Sequence, residues 1–133
     1  MISNESYFKL IDGLELMSLG ALWYKTDDHI LYSFPKHYSE NYQGRIELFC
    51  LVLRRLMEEH KVCLDKNGEL LQGTIDEQLA LFKNAFPEEE RMKEIDHYWW
   101  YLDDCPATAV WILDREIEGF TTPAGKGKFY FWT

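Results

Sequence analysis

Apolar residues recur every three or four positions near the start of the chain, at Tyr7, Leu10, Ile11, Leu14 and Met17. That spacing predicts a first helix, capped by Ser3 or Asn4, weakened by Gly13 and ended by Gly20. In HILYSF (29–34) the period shortens to two, with Ile30, Tyr32 and Phe34 opposing His29, Leu31 and Ser33. A half-buried strand follows from that alternation; Pro35 stops it, and HYSENYQG (37–44) reads as a loop. RIELFCLVLRRLMEEHK (45–61) returns to the helical period. Its apolar face of Phe49, Val52, Leu53, Leu56 and Met57 is wide enough to meet a sheet or two other elements. Cys50 lies inside this run and reads as a small buried apolar group.

VCLDKNGELLQG (62–73) predicts a hairpin, because Asn67-Gly68 supplies the two positive-φ residues of a type I′ turn. Thr74 and Glu77 then form a capping box ahead of a helix with the stripe Ile75, Leu79, Phe82 and Phe86, ended by Pro87. EEERMKEID (88–96) adds a short acidic helix. Three strands follow: YWWYLD (98–103), TAVWILD (108–114) and KFYFWT (128–133), with TTPAGKGK between the last two as a mobile surface loop. TAVWILD places Val110 and Ile112 on one face and Ala109, Trp111 and Leu113 on the other. The fold class expected is α+β, a mainly antiparallel β-sheet packed with three to four helices in a single domain, residues 1–133.

Composition sharpens this picture. The chain of 133 residues is 47% hydrophobic and 16% aromatic, enough for a substantial core. Its three cysteines, Cys50, Cys63 and Cys105, form no CxxC pair, and an odd number fits reduced thiols. The first residues lack a secretory signal, and no apolar run reaches the ~20 residues a bilayer requires, so a cytoplasmic protein without a membrane partner is expected. Net charge is −9 and unevenly spread. Residues 1–73 carry 8 basic and 11 acidic groups, residues 74–104 carry 3 and 9, and residues 105–133 carry 3 and 3. Direct nucleic-acid binding neutralises phosphates with cations, so this sign argues against it. It suits solubility, and it suits a basic protein partner.

HYWWYLDDCPATAVWILD (97–114) concentrates the candidate chemistry. His97, Asp103, Asp104 and Cys105 are zinc-ligand types, but on a strand Asp103 and Asp104 point to opposite faces. His97 and Asp103 would stand about 20 Å apart at ~3.3 Å per residue. Paired carboxylates can do acid–base work when one is desolvated, which diverging side chains do not favour. Cys105 as a nucleophile needs a lowered pKa, and the adjacent carboxylates would raise it. GKGK (125–128) lacks the spacing of a phosphate loop. No catalytic, cofactor or metal residue is expected from these patterns. Trp99 and Tyr101 interleave with Asp96, Asp103 and Asp104, which resembles a protein-binding hot spot for Arg and Lys; equally, every aromatic can be core.

The order of features also resembles a known family. LFCLVLRRLMEEH leads to VCLDKNGELLQGT, then EQLALFKNAFP, then W-x-Y-L-D-D-C-P-x-x-x-V-W-I, so the likeness runs from about Arg45 to Trp132. These runs are similar to a bacterial family of small, formerly uncharacterised proteins, some encoded beside contact-dependent growth inhibition toxins as their immunity proteins. The resemblance implies an α+β fold, compared in one member with the Whirly nucleic-acid-binding architecture. It also implies a role in binding and neutralising a toxin, a basic nuclease, by occluding its active site. The candidate surface is Glu88, Glu89, Glu90, Asp96, Trp99, Tyr101, Asp103 and Asp104. The alternatives are a Whirly-like nucleic-acid-binding module using Lys36, Lys126 and Lys128, and a small enzyme built on His97, Asp103, Asp104 and Cys105.

Overall fold

A computed structural model of the protein describes residues 3–27 and 41–133, with Asp96 and His97 described by backbone alone. The expected strand at 29–34 lies outside the described residues. Among the described residues are five helices and one five-stranded sheet: α1 (Asn4–Ile11), α2 (Leu19–Lys25), α3 (Tyr42–Glu58), β1 (Val62–Lys66), β2 (Glu69–Leu70), α4 (Ile75–Ala85), α5 (Glu89–Trp99), β3 (Thr108–Leu113), β4 (Thr121–Gly125) and β5 (Lys128–Trp132). Strand order is β2-β1-β3-β5-β4, and every pairing is antiparallel. The expected α+β class is observed. No helix among the described residues is long and apolar enough to cross a membrane.

The predicted first helix is two. Ser3 caps α1 by accepting from the Ser6 amide at 3.1 Å, but the helix stops at Ile11. A new one starts after Ser18, so Gly20 lies inside α2 rather than at an end. Leu14 stays buried, whereas Met17 is exposed on the connection and its carbonyl accepts from Trp111 Nε1 at 2.8 Å. Leu19, Leu22 and Trp23 then repeat at helical spacing on the buried side of α2. Of the loop expected at 37–44, residues 37–40 lie outside the described residues and 42–44 are helical. Asn41 accepts from the Gly44 amide at 2.7 Å, which caps α3 and draws Tyr42–Gly44 into its first turn.

α3 buries Phe49, Val52 and Leu53 completely and contacts α2, α4 and β1, as its broad apolar face requires. The hairpin and capping box form as the sequence indicates. Asn67 and Gly68 take φ of 54° and 86°, and Thr74 and Glu77 exchange both bonds at 3.1 Å. TTPAGKGK differs from expectation: it builds β4 and a second tight hairpin into β5, with Lys126 and Gly127 at φ 55° and 79°. The physical cause matches the first hairpin, since a Lys-Gly pair in the left-handed region matches the strand twist. Val62, Leu64, Ala109, Trp111 and Leu113 face the helices and join the core.

YWWYLD is not a strand. α5 continues from the acidic segment through Trp99, and the next residues turn through Tyr101 N–H to Tyr98 O and Leu102 N–H to Trp99 O. Met92, Ile95 and Trp99 are the reason. They recur at helical spacing, with Met92 and Trp99 buried and Ile95 packed against them, and no Gly or Pro interrupts the run between Pro87 and Pro106. The closing turn lets both adjacent indoles enter the core, which a strand would send to opposite faces. Their rings meet edge-on at 4.8 Å, and Phe86 stacks on Trp99 at 4.9 Å. Trp23, Phe49 and Phe82 complete this aromatic cluster.

Candidate partner-binding surface

α5 and its closing turn carry the residues singled out in the sequence, in two groups. Glu88 precedes the helix, and Glu89 and Glu90 occupy its first turn, where carboxylates favour the positive end of the helix dipole. Glu90 pairs with Lys93 at 3.4 Å. Asp103 and Asp104 lie exposed just past the other end. Eleven helical residues at 1.5 Å each separate the two groups by about 16 Å. They are two acidic ends of one helix, not one strand edge. Asp96 is described by backbone alone.

Between those ends the aromatics divide sharply. Tyr98 is 65% exposed and Tyr101 77%, while Trp99 is 1% exposed. Trp99 is therefore a core residue, and its place in the expected surface is withdrawn because its ring is enclosed by Phe86 and Trp100. Leu102 remains partly exposed beside Tyr101. Asp103 and Asp104 sit just beyond a helix C-terminus, where the backbone dipole disfavours negative charge. The nearest stabilising cation serves the backbone instead. Lys66 Nζ donates to the carbonyls of Cys105 at 2.6 Å and Asp103 at 3.1 Å. Among the described residues, Glu88, Glu89, Asp103 and Asp104 form no ion pair.

Cys105 is buried at the end of this turn, and its Sγ donates to the Ala107 carbonyl at 3.4 Å. Burial pushes its pKa up, and the Lys66 charge works the other way. The raised direction is the expected one, but the cause is desolvation rather than the neighbouring aspartates. Cys50 and Cys63 are likewise raised to about 11 by burial. No three His, Cys, Asp or Glu side chains among the described residues cluster at metal-binding distance. Of the lysines considered for a basic face, Lys128 pairs with Asp114, Lys126 sits in the β4–β5 turn, and Lys36 lies outside the described residues.

Clefts that the sequence did not reveal lie along α5 and its closing turn. One of 370 Å³ lies between α2 and the Trp100–Tyr101 turn, with Tyr24 and Arg45 among its lining residues. A second of 220 Å³ shares Trp23 and Arg45 with it and reaches Glu89. A third of 190 Å³ shares Trp100 and Tyr101 and reaches Asp103. Arg45 fixes the junction: its guanidinium lies 4.1 Å from the Trp23 ring centroid and donates to Trp23 O and Thr26 Oγ1. The helical repeat of Leu19, Leu22 and Trp23 was the available signal for α2. Nothing local in the sequence joins it to residues 100–101.

These elements match a known family over the whole sheet and both acidic ends of α5. The model for the family described as a protein of unknown function, DUF596, matches residues 57–133. The chain belongs to that family. The match begins at Met57 and so leaves out α1, α2 and Arg45; α2 and Arg45 line the 370 Å³ cleft. A solved structure, an uncharacterized protein conserved in bacteria from Neisseria meningitidis, is similar with a TM-score of 0.64 and 21% identity. The alignment covers 96% of this chain and 84% of that one, and at this identity it speaks for the fold alone. No curated protein matches the chain.

Proposed function

We propose that this chain is a binding protein that receives a basic protein partner on α5 and its closing turn, with no catalysis of its own. The observation carrying this reading is the pairing of exposed rings with carboxylates that form no ion pair among the described residues. Asp103 and Asp104 stand beside Tyr101, Leu102 and Tyr98, and Glu88 and Glu89 stand at the far end of the same helix. Asp103 and Asp104 stand at a helix C-terminus, where negative charge does not favour folding, and both are exposed to a partner. Such a surface steers a cationic partner into encounter, and its aromatics supply contact area.

The partner in this reading is a toxin nuclease whose cationic substrate cleft the acidic face covers, in the cytoplasm. The sequence's likeness to contact-dependent growth inhibition immunity proteins supports that choice, and so does the net charge of −9. A nucleic-acid-binding role draws less support, because Lys128 is occupied by Asp114. Co-expression with the C-terminal domain of a large secreted protein, should one be encoded beside this chain, tests the proposal. Protected cells and a co-purifying pair are expected; survival no better than with an unrelated acidic protein, and no complex, would refute it.

A further inference from the structure

We infer that this chain self-associates through the Phe120 side of the β4–β5 hairpin, a second copy covering the aromatic face that the helices leave open. The strand register puts this face together. Trp111 lies opposite Phe131 and Leu113 opposite Phe129, while Thr121 and Pro123 of β4 lie opposite Phe131 and Phe129 in turn. Residues directly opposite in an antiparallel pair share a face, so all six stand on the side of the sheet that meets the helices. Cover runs out along it: Trp111 and Leu113 are buried, Phe129 and Phe131 only partly so, and Pro123 is exposed. Phe120 lies 66% exposed beside them, its ring stacked on Phe131 at 6.4 Å. Its own turn holds it there, since the amides of Phe120 and Thr121 both donate to the Ile117 carbonyl, at 2.9 and 3.1 Å. A ring already fixed in place loses little freedom on contact.

One exposed ring is ordinary on a protein surface, but Phe120, Pro123, Phe129 and Phe131 together make a contiguous apolar patch, the mark of an interaction site. Charge selects the occupant. The chain carries −9 overall, whereas residues 105–133 carry 3 basic and 3 acidic groups. Two copies of an acidic protein repel wherever their acidic surfaces meet, and this neutral end is where they approach with least repulsion. A basic partner is drawn to the α5 end instead, so self-association stands apart from the partner reading. Strand addition at this place is disfavoured. β4 is an edge strand, yet Pro123 has no N–H, the Thr121 N–H is engaged by Ile117, and the register shifts between Pro123 and Gly125. The copies therefore meet face to face, each presenting the same patch, which closes a twofold dimer and leaves no free end to extend.

Sedimentation velocity on the full chain under reducing conditions, from about 1 to 500 μM, spans the weak end of specific association. Monomer should give way to dimer as concentration rises, with no larger species. Raising the salt should strengthen the dimer, because screening removes repulsion between like-charged copies. Phe120→Asp should weaken dimerisation by about tenfold or more, since a carboxylate would have to be buried unpaired. Tyr101→Asp, on the closing turn of α5, should leave it unchanged. Phe120 is exposed, so the dilute Phe120→Asp variant should melt at the wild-type temperature. A second readout needs no substitution: on dilution of wild type, backbone amide resonances should shift within 117–131 and stay fixed within 98–104. Monomer at every concentration, an open-ended series of oligomers, or association that weakens with salt would each overturn the inference. So would dilution shifts confined to α5, or a dimer indifferent to Phe120→Asp. None of these outcomes bears on the co-expression test, which decides the partner reading separately.

Discussion

Glu59 and Asp103 both follow the C-terminal end of a helix, where a carboxylate is electrostatically disfavoured, yet the molecule treats them in opposite ways. Glu59 closes α3 and is surrounded by donors: Arg55 Nε, Lys61 Nζ and the Tyr7 hydroxyl, each at 3.0 Å. Burial alone would raise its pKa, but those hydrogen bonds and the Lys61 charge bring it down to about 2. Tyr7 is pushed up by burial, and its bond to Glu59 adds to that. Beyond α5, by contrast, Lys66 satisfies backbone carbonyls and leaves the Asp103 and Asp104 carboxylates to solvent. One acidic helix end is built into the fold. The other is carried by the fold and turned outward.

The contrast requires that the outward end hang on a core that does not depend on it. Replacing Trp99 with alanine should remove about 3–5 kcal/mol of stability, read as a lowered urea midpoint, because the ring is enclosed by Phe86 and Trp100. Tyr101→Ala, two residues on, should stay within about 0.5 kcal/mol. Comparable losses in both would erase the distinction between core and surface at this turn.

Lys66→Met comes next, at about 1–2 kcal/mol, since it strips a charged donor from two carbonyls. Combined with Asp103→Asn in a double-mutant cycle, its effect should be additive to within about 0.5 kcal/mol. A larger coupling would mean that Lys66 does serve the carboxylate, and the two helix ends would then be alike.

Glu59→Gln should cost about 1 kcal/mol at neutral pH, the scale of partly exposed charged hydrogen bonds. The sign with pH follows from the depressed folded value. Glu59's contribution is full above its unfolded pKa of 4.5 and is lost as pH falls through about 2. Wild-type and Gln variants, unfolded in urea across that window, should therefore converge in stability towards its acidic end. Parallel curves would show that Glu59 does not differ from a solvated carboxylate. The smallest effect belongs to Asp103→Asn with Asp104→Asn, which should leave thermal stability unchanged or slightly raised, by less than about 0.5 kcal/mol.

Features set by neighbouring residues were legible in the sequence, and those set by distant ones were not. Asn67-Gly68 and the Thr74–Glu77 box each specify a local geometry, and both hairpin and cap formed. α3 and β3 also followed their periods, since each buries one well-marked set of residues. At 97–103 the period failed because four adjacent aromatics fit alternation and helix equally well. Only packing against Phe86 and the core resolved them as the end of α5. α2 was not legible because Gly20 has the look of a helix end, whereas its missing Cβ makes room for Trp100. For the candidate site, the exposure of Asp103, Asp104 and Tyr101 could be anticipated. The cleft could not, since it joins Tyr24 and Arg45 to residues about sixty to eighty positions away, beyond any local pattern.

The outward role of the α5 end is tested most directly by association kinetics with a toxin nuclease domain of the kind proposed as partner, measured across a salt series. Wild type should associate fast at low salt and slow steeply as salt rises. Asp103→Lys with Asp104→Lys should associate more slowly, with a flatter salt dependence. Identical rates and slopes for the two proteins would contradict the account and place the interface elsewhere.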